Sequence, residues 1–331
     1  MWLVTAFAAL VLFLLIYSAT TFTFIENRNR PRGEFVRAGG VDLHYLKMGP
    51  RHPVGAPIVL IHGASGNLGD MAESLMPRLA ERFTVYAFDR PGHGWSGRPD
   101  RPDITDPAAQ AALLHEAMTV LGVTRPVLLG HSWGGAVATA YALSFPDALS
   151  GLLVLAGATH VWEGKTAWYH TLVRKRFIGH LFLNTLMPLG GQLLAAAGVT
   201  GNFAPNTPPP DYARRIGLSL LFRPANFRAN SADSSNLRSY LKTQSLRYEE
   251  IKVPTIIITG NRDKTVWAKL HSYALHEQIA GSEMIKLVGV GHMPHYVRPD
   301  LVEEALSRLA LGMAVQAGTH IVEPVASSDE D

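Results

Sequence analysis

Ser132 lies in Gly130-His131-Ser132-Trp133-Gly134, directly after the apolar run Pro126-Val127-Leu128-Leu129. A Gly-x-Ser-x-Gly pentapeptide at the end of a buried strand can form a sharp strand-to-helix turn that projects the serine hydroxyl from the sheet edge. The glycines suit so tight a turn because side chains there would collide with the neighbouring strand and helix. A serine hydroxyl is a weak nucleophile and needs an adjacent base that a third group orients. In open α/β sheets ligands gather at the carboxyl ends of strands, so the partners belong in loops after later strands. Asp263, in Gly260-Asn261-Arg262-Asp263, follows the run Ile256-Ile257-Ile258; His292, in Gly291-His292-Met293, follows Met284-Ile285-Lys286-Leu287-Val288. The residue types alone leave alternatives open. Asp263 can equally cap the next turn or pair with Arg262, and His295 competes with His292.

Those placements require a parallel sheet, and the chain has the pattern of one. Glu34-Phe35-Val36 and Val41 to Leu46 flank Ala38-Gly39-Gly40 as an opening hairpin. Ile58-Val59-Leu60-Ile61 and Val85-Tyr86-Ala87-Phe88 are short apolar runs of strands buried on both faces. Met71 to Arg82 is the helical crossover between them, and Pro107 to Leu121 is a second helix entered from the cap Asp106. The Val127 strand, the helix after Ser132 and a Leu152-Leu153-Val154-Leu155 strand follow. From about His160 to Glu250 the alternation stops. Aromatic and basic residues scatter there, Ala204 to Pro210 is a loop that no helix could cross, and Trp168 to Leu194 and Tyr212 to Phe222 read as helices. Sheet logic resumes with strands near Ile256 and Met284, separated by a helix over Ala268 to Ile279, and closes with a helix over Leu301 to Met313. The middle block therefore reads as a helical insertion over one sheet edge.

Composition narrows the function. Of 331 residues, 47% are hydrophobic and 17% charged, with a formal net charge of +3, a balance that does not favour nucleic acid as a partner. Without cysteine the chain has no disulfide, thiolate metal site or cysteine nucleophile. No His-x-x-x-His with a carboxylate on one helix appears, so no metal site is expected. Trp2 to Phe24 carries no charged side chain, and a helix needs roughly 20 apolar residues to cross a bilayer core of about 30 Å. A cleaved signal peptide and a buried soluble helix are the competing readings. No Lys or Arg precedes the stretch, and Tyr17-Ser18-Ala19 puts a bulky residue where cleavage wants a small one. Residues 1–26 are therefore expected to form a single transmembrane anchor and 27–33 a linker. Arg28, Arg30, Arg32 and Arg37 follow the span and would hold the large domain on the cytoplasmic side. Residues 314–331, ending Ser327-Ser328-Asp329-Glu330-Asp331, are expected to be a disordered acidic tail.

Five segments in order carry a resemblance. They are Leu60-Ile61-His62-Gly63-Ala64-Ser65-Gly66, Asp89-Arg90-Pro91-Gly92-His93-Gly94-Trp95-Ser96, Gly130-His131-Ser132-Trp133-Gly134-Gly135, Gly260-Asn261-Arg262-Asp263 and Gly291-His292. From about Glu34 to Met313 the chain resembles the α/β-hydrolase superfamily, in its branch with a helical cap between the sixth and seventh strands. Ser, Asp, His is also that family's chain order. The resemblance implies an eight-stranded-type, mostly parallel sheet, a core of residues 34–158 and 251–313, and a cap over 159–250. It implies Ser132 as nucleophile, Asp263 as orienting acid, and His292, right after the glycine, as base. The backbone N–H groups of Ala64 and Trp133 would hold the oxyanion, one such donor stabilising the transition state by about 2.7–4 kcal/mol. His62 and His93 are then loop hydrogen-bonding residues, and His131 packs under the turn.

Departures from subfamily patterns sharpen the expectation. A serine at 132 disfavours relatives that attack through a carboxylate. Gly291-His292-Met293-Pro294-His295-Tyr296 lacks the tryptophan of relatives that hydrolyse carbon–carbon bonds. The insertion is basic (Arg174, Lys175, Arg176, Arg214, Arg215, Arg223, Arg228), with Glu163 its only glutamate before Glu249, which disfavours aminopeptidases. The reading is a membrane-anchored, cofactor-free serine hydrolase of carboxylic esters, small and hydrophobic, lipid-like or aromatic. Thioester hydrolysis, acyl transfer and carbon–carbon hydrolysis on the same residues are the enzymatic alternatives, and a ligand-binding receptor on this scaffold is the non-enzymatic one.

Overall fold

Strands β1 (Glu34–Ala38) and β2 (Val41–Met48) pair as a hairpin whose two turn residues, Gly39 and Gly40, hold φ of 53° and 76°. Two successive positive φ values make the primed turn that matches strand twist, which is why glycines stand there. The computed structural model describes residues 2–164 and 167–324. Beyond the hairpin come β3 (Ile58–Ile61), β4 (Val85–Phe88), β5 (Val127–His131), β6 (Gly151–Leu155), β7 (Thr255–Gly260), β8 (Glu283–Leu287) and β9 (Gly318–Val322). They form one sheet in the order β1-β2-β4-β3-β5-β6-β7-β8-β9. Both pairings of β2 are antiparallel and the rest are parallel. Every residue of β3 to β7 is buried, as expected of strands covered on both faces.

Alternate residues of these strands feed two cores. Val59, Ile61 and Leu128 join the helices Pro107–Val120 and Trp133–Ser144 on one face. Ile58, Leu60, Val127 and Leu129 meet the helix Pro299–Ala310 and the β3–β4 crossover on the other. That crossover is two helices, Leu68–Ser74 and Met76–Leu79, rather than the single one expected, because Pro77 cannot donate to the preceding turn.

The insertion between β6 and β7 is helical, as expected. It holds Trp168–Arg174, Arg176–Thr185, Met187–Phe203, Tyr212–Arg215 and a 21-residue helix, Pro224–Gln244, that no apolar periodicity announced. Two expectations about the sheet fail. It has nine strands among the described residues, not eight. The ninth lies inside the supposed tail and pairs in parallel with β8. Backbone hydrogen bonding along an open edge supports β9, although its side chains are only half-buried or exposed. The acidic end from Ser327 to Asp331 lies outside the described residues. Trp2–Arg28 forms one helix, long and apolar enough to cross a membrane by length and composition.

Candidate functional site

Ser132 sits between β5 and the helix Trp133–Ser144 with φ 53° and ψ −119°. This is a strained conformation for a residue with a Cβ, costing about 1–3 kcal/mol, of the kind that clusters at functional sites. Its glycine neighbours make the turn possible. A Cβ on Gly130 would fall on the Gly134 carbonyl, one on Gly134 would lie 2.6 Å from the Ile61 carbonyl oxygen, and one on Gly135 would lie 2.7 Å from the Gly157 Cα.

Because β5, β7 and β8 run in parallel, the loops that follow them meet at one edge. Asp263 is three residues past β7 and His292 five past β8. His292 Nε2 is 2.9 Å from Ser132 Oγ, and His292 Nδ1 is 2.7 Å from Asp263 Oδ2. A carboxylate only accepts, so Nδ1–H donates to it and Nε2 is left to accept the serine proton. The other oxygen of Asp263 accepts the N–H groups of Thr265 and Val266 at 2.8 and 2.9 Å. Asp263 thus caps its own turn as well as binding His292; the two readings of this residue describe one carboxylate. All three side chains are buried.

His295 points away from Ser132 into a second cluster. Its Nε2–H donates to Asp70 Oδ2 at 3.2 Å, while Tyr212 donates to Asp70 Oδ1 at 2.9 Å. Burial raises the Asp70 pKa, but His295, His131 and the Tyr212 hydroxyl together outweigh it and hold the carboxyl down at about 2. His131 lies between His292 and His295, with ring centroids 4.9 and 4.5 Å away, and donates from Nε2 to the His292 carbonyl at 3.0 Å. Burial, with His295 and His292 as neighbours, pushes its pKa well below the ordinary histidine value. Asp70, His131 and His295 each bring a ligand atom within 4.8 Å of the others, a metal-capable grouping that sequence spacing did not reveal. Hydrogen bonds to His295 and Tyr212 already account for both Asp70 oxygens. The described groups fit a hydrogen-bonded support behind His292 better than an ion cage.

The loop Gly63–Gly66 passes beside the serine; a Cβ on Gly63 would lie 2.8 Å from the Ser132 Cβ. His62 fixes this loop. Its Nε2 accepts the Arg90 N–H at 3.0 Å and its Nδ1–H donates to the Gly63 carbonyl at 2.7 Å. Burial, then the charge of Arg90, lower the His62 pKa to about 4, so the ring is neutral as this tautomer requires. The expected loop role of His62 is what the geometry has. The segment from Asp89 to Ser96 is likewise architectural. Asp89 accepts N–H groups of Leu68 and Trp95 at 2.7 and 2.8 Å, and a Cβ on Gly94 would overlap its carboxylate.

Sequence reasoning missed the contribution of the helix Pro224–Gln244. Asp233, wholly buried, receives Arg90 Nη1 at 2.8 Å and Arg98 Nη2 at 2.7 Å. The Arg90 guanidinium also lies 4.0 Å from the Trp133 ring centroid. Burial lowers the Arg90 pKa to about 10 against the opposing pull of Asp233, so it stays charged at neutral pH. Asn230 on the same helix accepts the Ser65 N–H at 2.7 Å and donates to Ser65 Oγ at 3.1 Å. The insertion is therefore clasped to both backbone segments beside Ser132. The signal was a buried stripe at Asn226, Asn230, Asp233, Leu237, Leu241 and Gln244, helical in spacing but polar over its first half.

Above Ser132 and His292 a cavity of about 530 Å³ is walled by Tyr169, Phe182, Leu186, Met187, Val199, Leu221, Phe222 and Phe227 from the insertion. Ala64 and Ser65 line its floor. The walls are mostly apolar, with Ser65, Ser132, Asn230 and His292 among the polar groups that line it.

A family model described as the alpha/beta hydrolase fold matches residues 56–299. A putative carbamate hydrolase of Cronobacter turicensis is 27% identical over 251 residues, covering 74% of this chain and 87% of its own length. Two solved structures share the fold. An esterase from Exiguobacterium antarcticum has a TM-score of 0.65 at 22% identity and covers 84% of this chain and 99% of its own. The enol-lactonase of Burkholderia xenovorans LB400 has 0.63 at 22%, covering 83% and 99%.

Proposed function

The chain belongs to the α/β-hydrolase family, whose relatives and structural neighbours here are hydrolases, and from that premise we propose that it cleaves hydrophobic carboxylic esters through an acyl-enzyme on Ser132. One observation carries this reading: the unbroken relay from Asp263 through His292 to Ser132, opening into an apolar cavity. Ser132 Oγ attacks the acyl carbonyl as its proton passes to His292 Nε2. The backbone N–H groups of Ala64 and Trp133 hold the resulting oxyanion. Collapse breaks the bond to the alcohol, which leaves with the proton from His292. Water, deprotonated by the same nitrogen, then releases the carboxylic acid and restores the serine. Asp263 keeps Nδ1 protonated and stabilises the imidazolium. No step requires a cofactor.

The helix Trp2–Arg28 serves as a single-pass anchor, with Arg28, Arg30, Arg32 and Arg37 holding the catalytic domain on the cytoplasmic side. Residues 159–250 act as the cap that forms the acyl site. The test is labelling of the full chain with a fluorophosphonate. Wild type is expected to label, Ser132→Ala to lose the label, and His295→Asn to keep it. Labelling that survives in Ser132→Ala rules out this nucleophile.

A further inference from the structure

The N-terminal helix does not stand apart from the cap. At Val11, Leu14, Ser18, Phe22 and Ile25, spaced three or four residues apart, one stripe of it is half-buried or buried. The elements packed against the helix include Arg176–Thr185, Met187–Phe203 and Leu218–Phe222. Glu26 pairs with Arg223 at 3.3 Å, and Asn29 donates to Ser219 at 3.1 Å. From Val11 to Ile25 the stripe is about 21 Å long at 1.5 Å per residue, a large part of a bilayer core of about 30 Å. If this helix crosses a membrane, what lies along its stripe cannot remain in water.

The helix Arg176–Thr185 is built for such a setting. Phe177 is 81% exposed, and Ile178, Leu181 and Leu186 are exposed on the same helix or just beyond it. Ordinary soluble surfaces do not gather bulky apolar side chains in this way. Arg174, Lys175 and Arg176, all exposed, head the helix, a basic flank beside an apolar face that suits an interface with anionic headgroups. Phe182, on the flank of this helix, lines the cavity. Trp168 and Leu186 both line the cavity and lie open at the surface, which marks its mouth on this side.

We propose that the cap is itself seated in the bilayer beside the anchor, through Phe177, Ile178 and Leu181, and that the substrate is an acyl ester dissolved in the membrane that enters the cavity laterally past Trp168 and Leu186. The proposal rests on the anchor and hydrolase readings above and adds the source and route of the substrate. The occupant of the apolar face is lipid, because the face continues the surface of a helix that is itself fit for lipid.

The cysteine-free chain allows a single probe to be placed. Full-length Phe177→Cys carrying an environment-sensitive fluorophore, reconstituted in phosphatidylcholine–phosphatidylglycerol vesicles, is expected to shift to the blue and be quenched by nitroxide-labelled lipid. A Val120→Cys control is expected to do neither. In a second arm, Phe177→Glu/Leu181→Glu should hydrolyse p-nitrophenyl butyrate in detergent within about twofold of wild type, yet lose about tenfold or more on p-nitrophenyl palmitate held in vesicles. A probe at 177 that stays in water in anchored protein overturns the proposal, as does wild-type turnover of the vesicle-held ester by the double variant. Failure of wild type to hydrolyse the short ester counts against the hydrolase reading instead, and the fluorescence still decides the seating of the cap.

Discussion

At Gly134 a methyl group would meet two backbone carbonyl oxygens, those of Ile61 and His62, at 2.6 and 2.7 Å. Backbone cannot rotate aside as a side chain can. Gly134→Ala is therefore expected to destabilise by about 1–3 kcal/mol or more, measured by chemical denaturation, and to displace Ser132 as well. Asp263→Asn changes no packing, but it inverts the donor at His292 Nδ1; the protein should stay folded while kcat falls about 10⁴-fold, read from steady-state kinetics. At this scale much of the site was legible. Ser132, Asp263 and His292 each sit just past an apolar run bounded by glycine, so their placement follows from the parallel sheet. Asp70 and its histidines were not legible, because their meeting depends on how the crossover helix tilts over the β8 loop.

Among the elements, the helix Pro224–Gln244 shows why half of the site's support was hidden. Asn226, Asn230 and Asp233 are poor helix formers and polar, and they point inward: Asn226 donates to the Gly94 carbonyl, Asn230 binds Ser65, and Asp233 pairs with Arg90 and Arg98. Apolar periodicity cannot find a helix whose buried face is polar. Asp233→Ala would leave two guanidinium groups without their carboxylate, one of them buried. The expected loss is about 3–5 kcal/mol in denaturant unfolding, and labelling of Ser132 should slow as the adjoining loop loosens. Strand β9 was hidden for the opposite reason: its half-exposed side chains leave no strong pattern, and its order comes from backbone pairing with β8.

For the whole molecule, buried neutral histidines set the acid limit. Burial lowers His62 and His271 to about 4 and takes His93 and His131 well below their ordinary value. The unfolded chain takes up these protons near pH 6.5 and the folded one resists them, so stability is full above about 6.5 and declines as pH falls toward 4. His62 alone accounts for about 3 kcal/mol of that loss. The melting temperature should fall steeply across this window, with Asp70 adding a further loss only below its ordinary carboxylate range. The Arg90–Asp233–Arg98 clasp also fixes the cap to the core. Lifting the cap would pull opposite charges apart in a dry interior, so this roof is riveted and has no hinge on that side. Traffic passes instead by the mouth at Trp168 and Leu186, and the helix Met187–Phe203 that starts beside it presents Gly190, Gly191, Ala195 and Gly198 to the chamber. A Cβ at Gly190 meets open space. Gly190→Leu should accordingly fold normally and narrow the passage, cutting kcat/KM for long acyl chains about tenfold more than for acetyl esters.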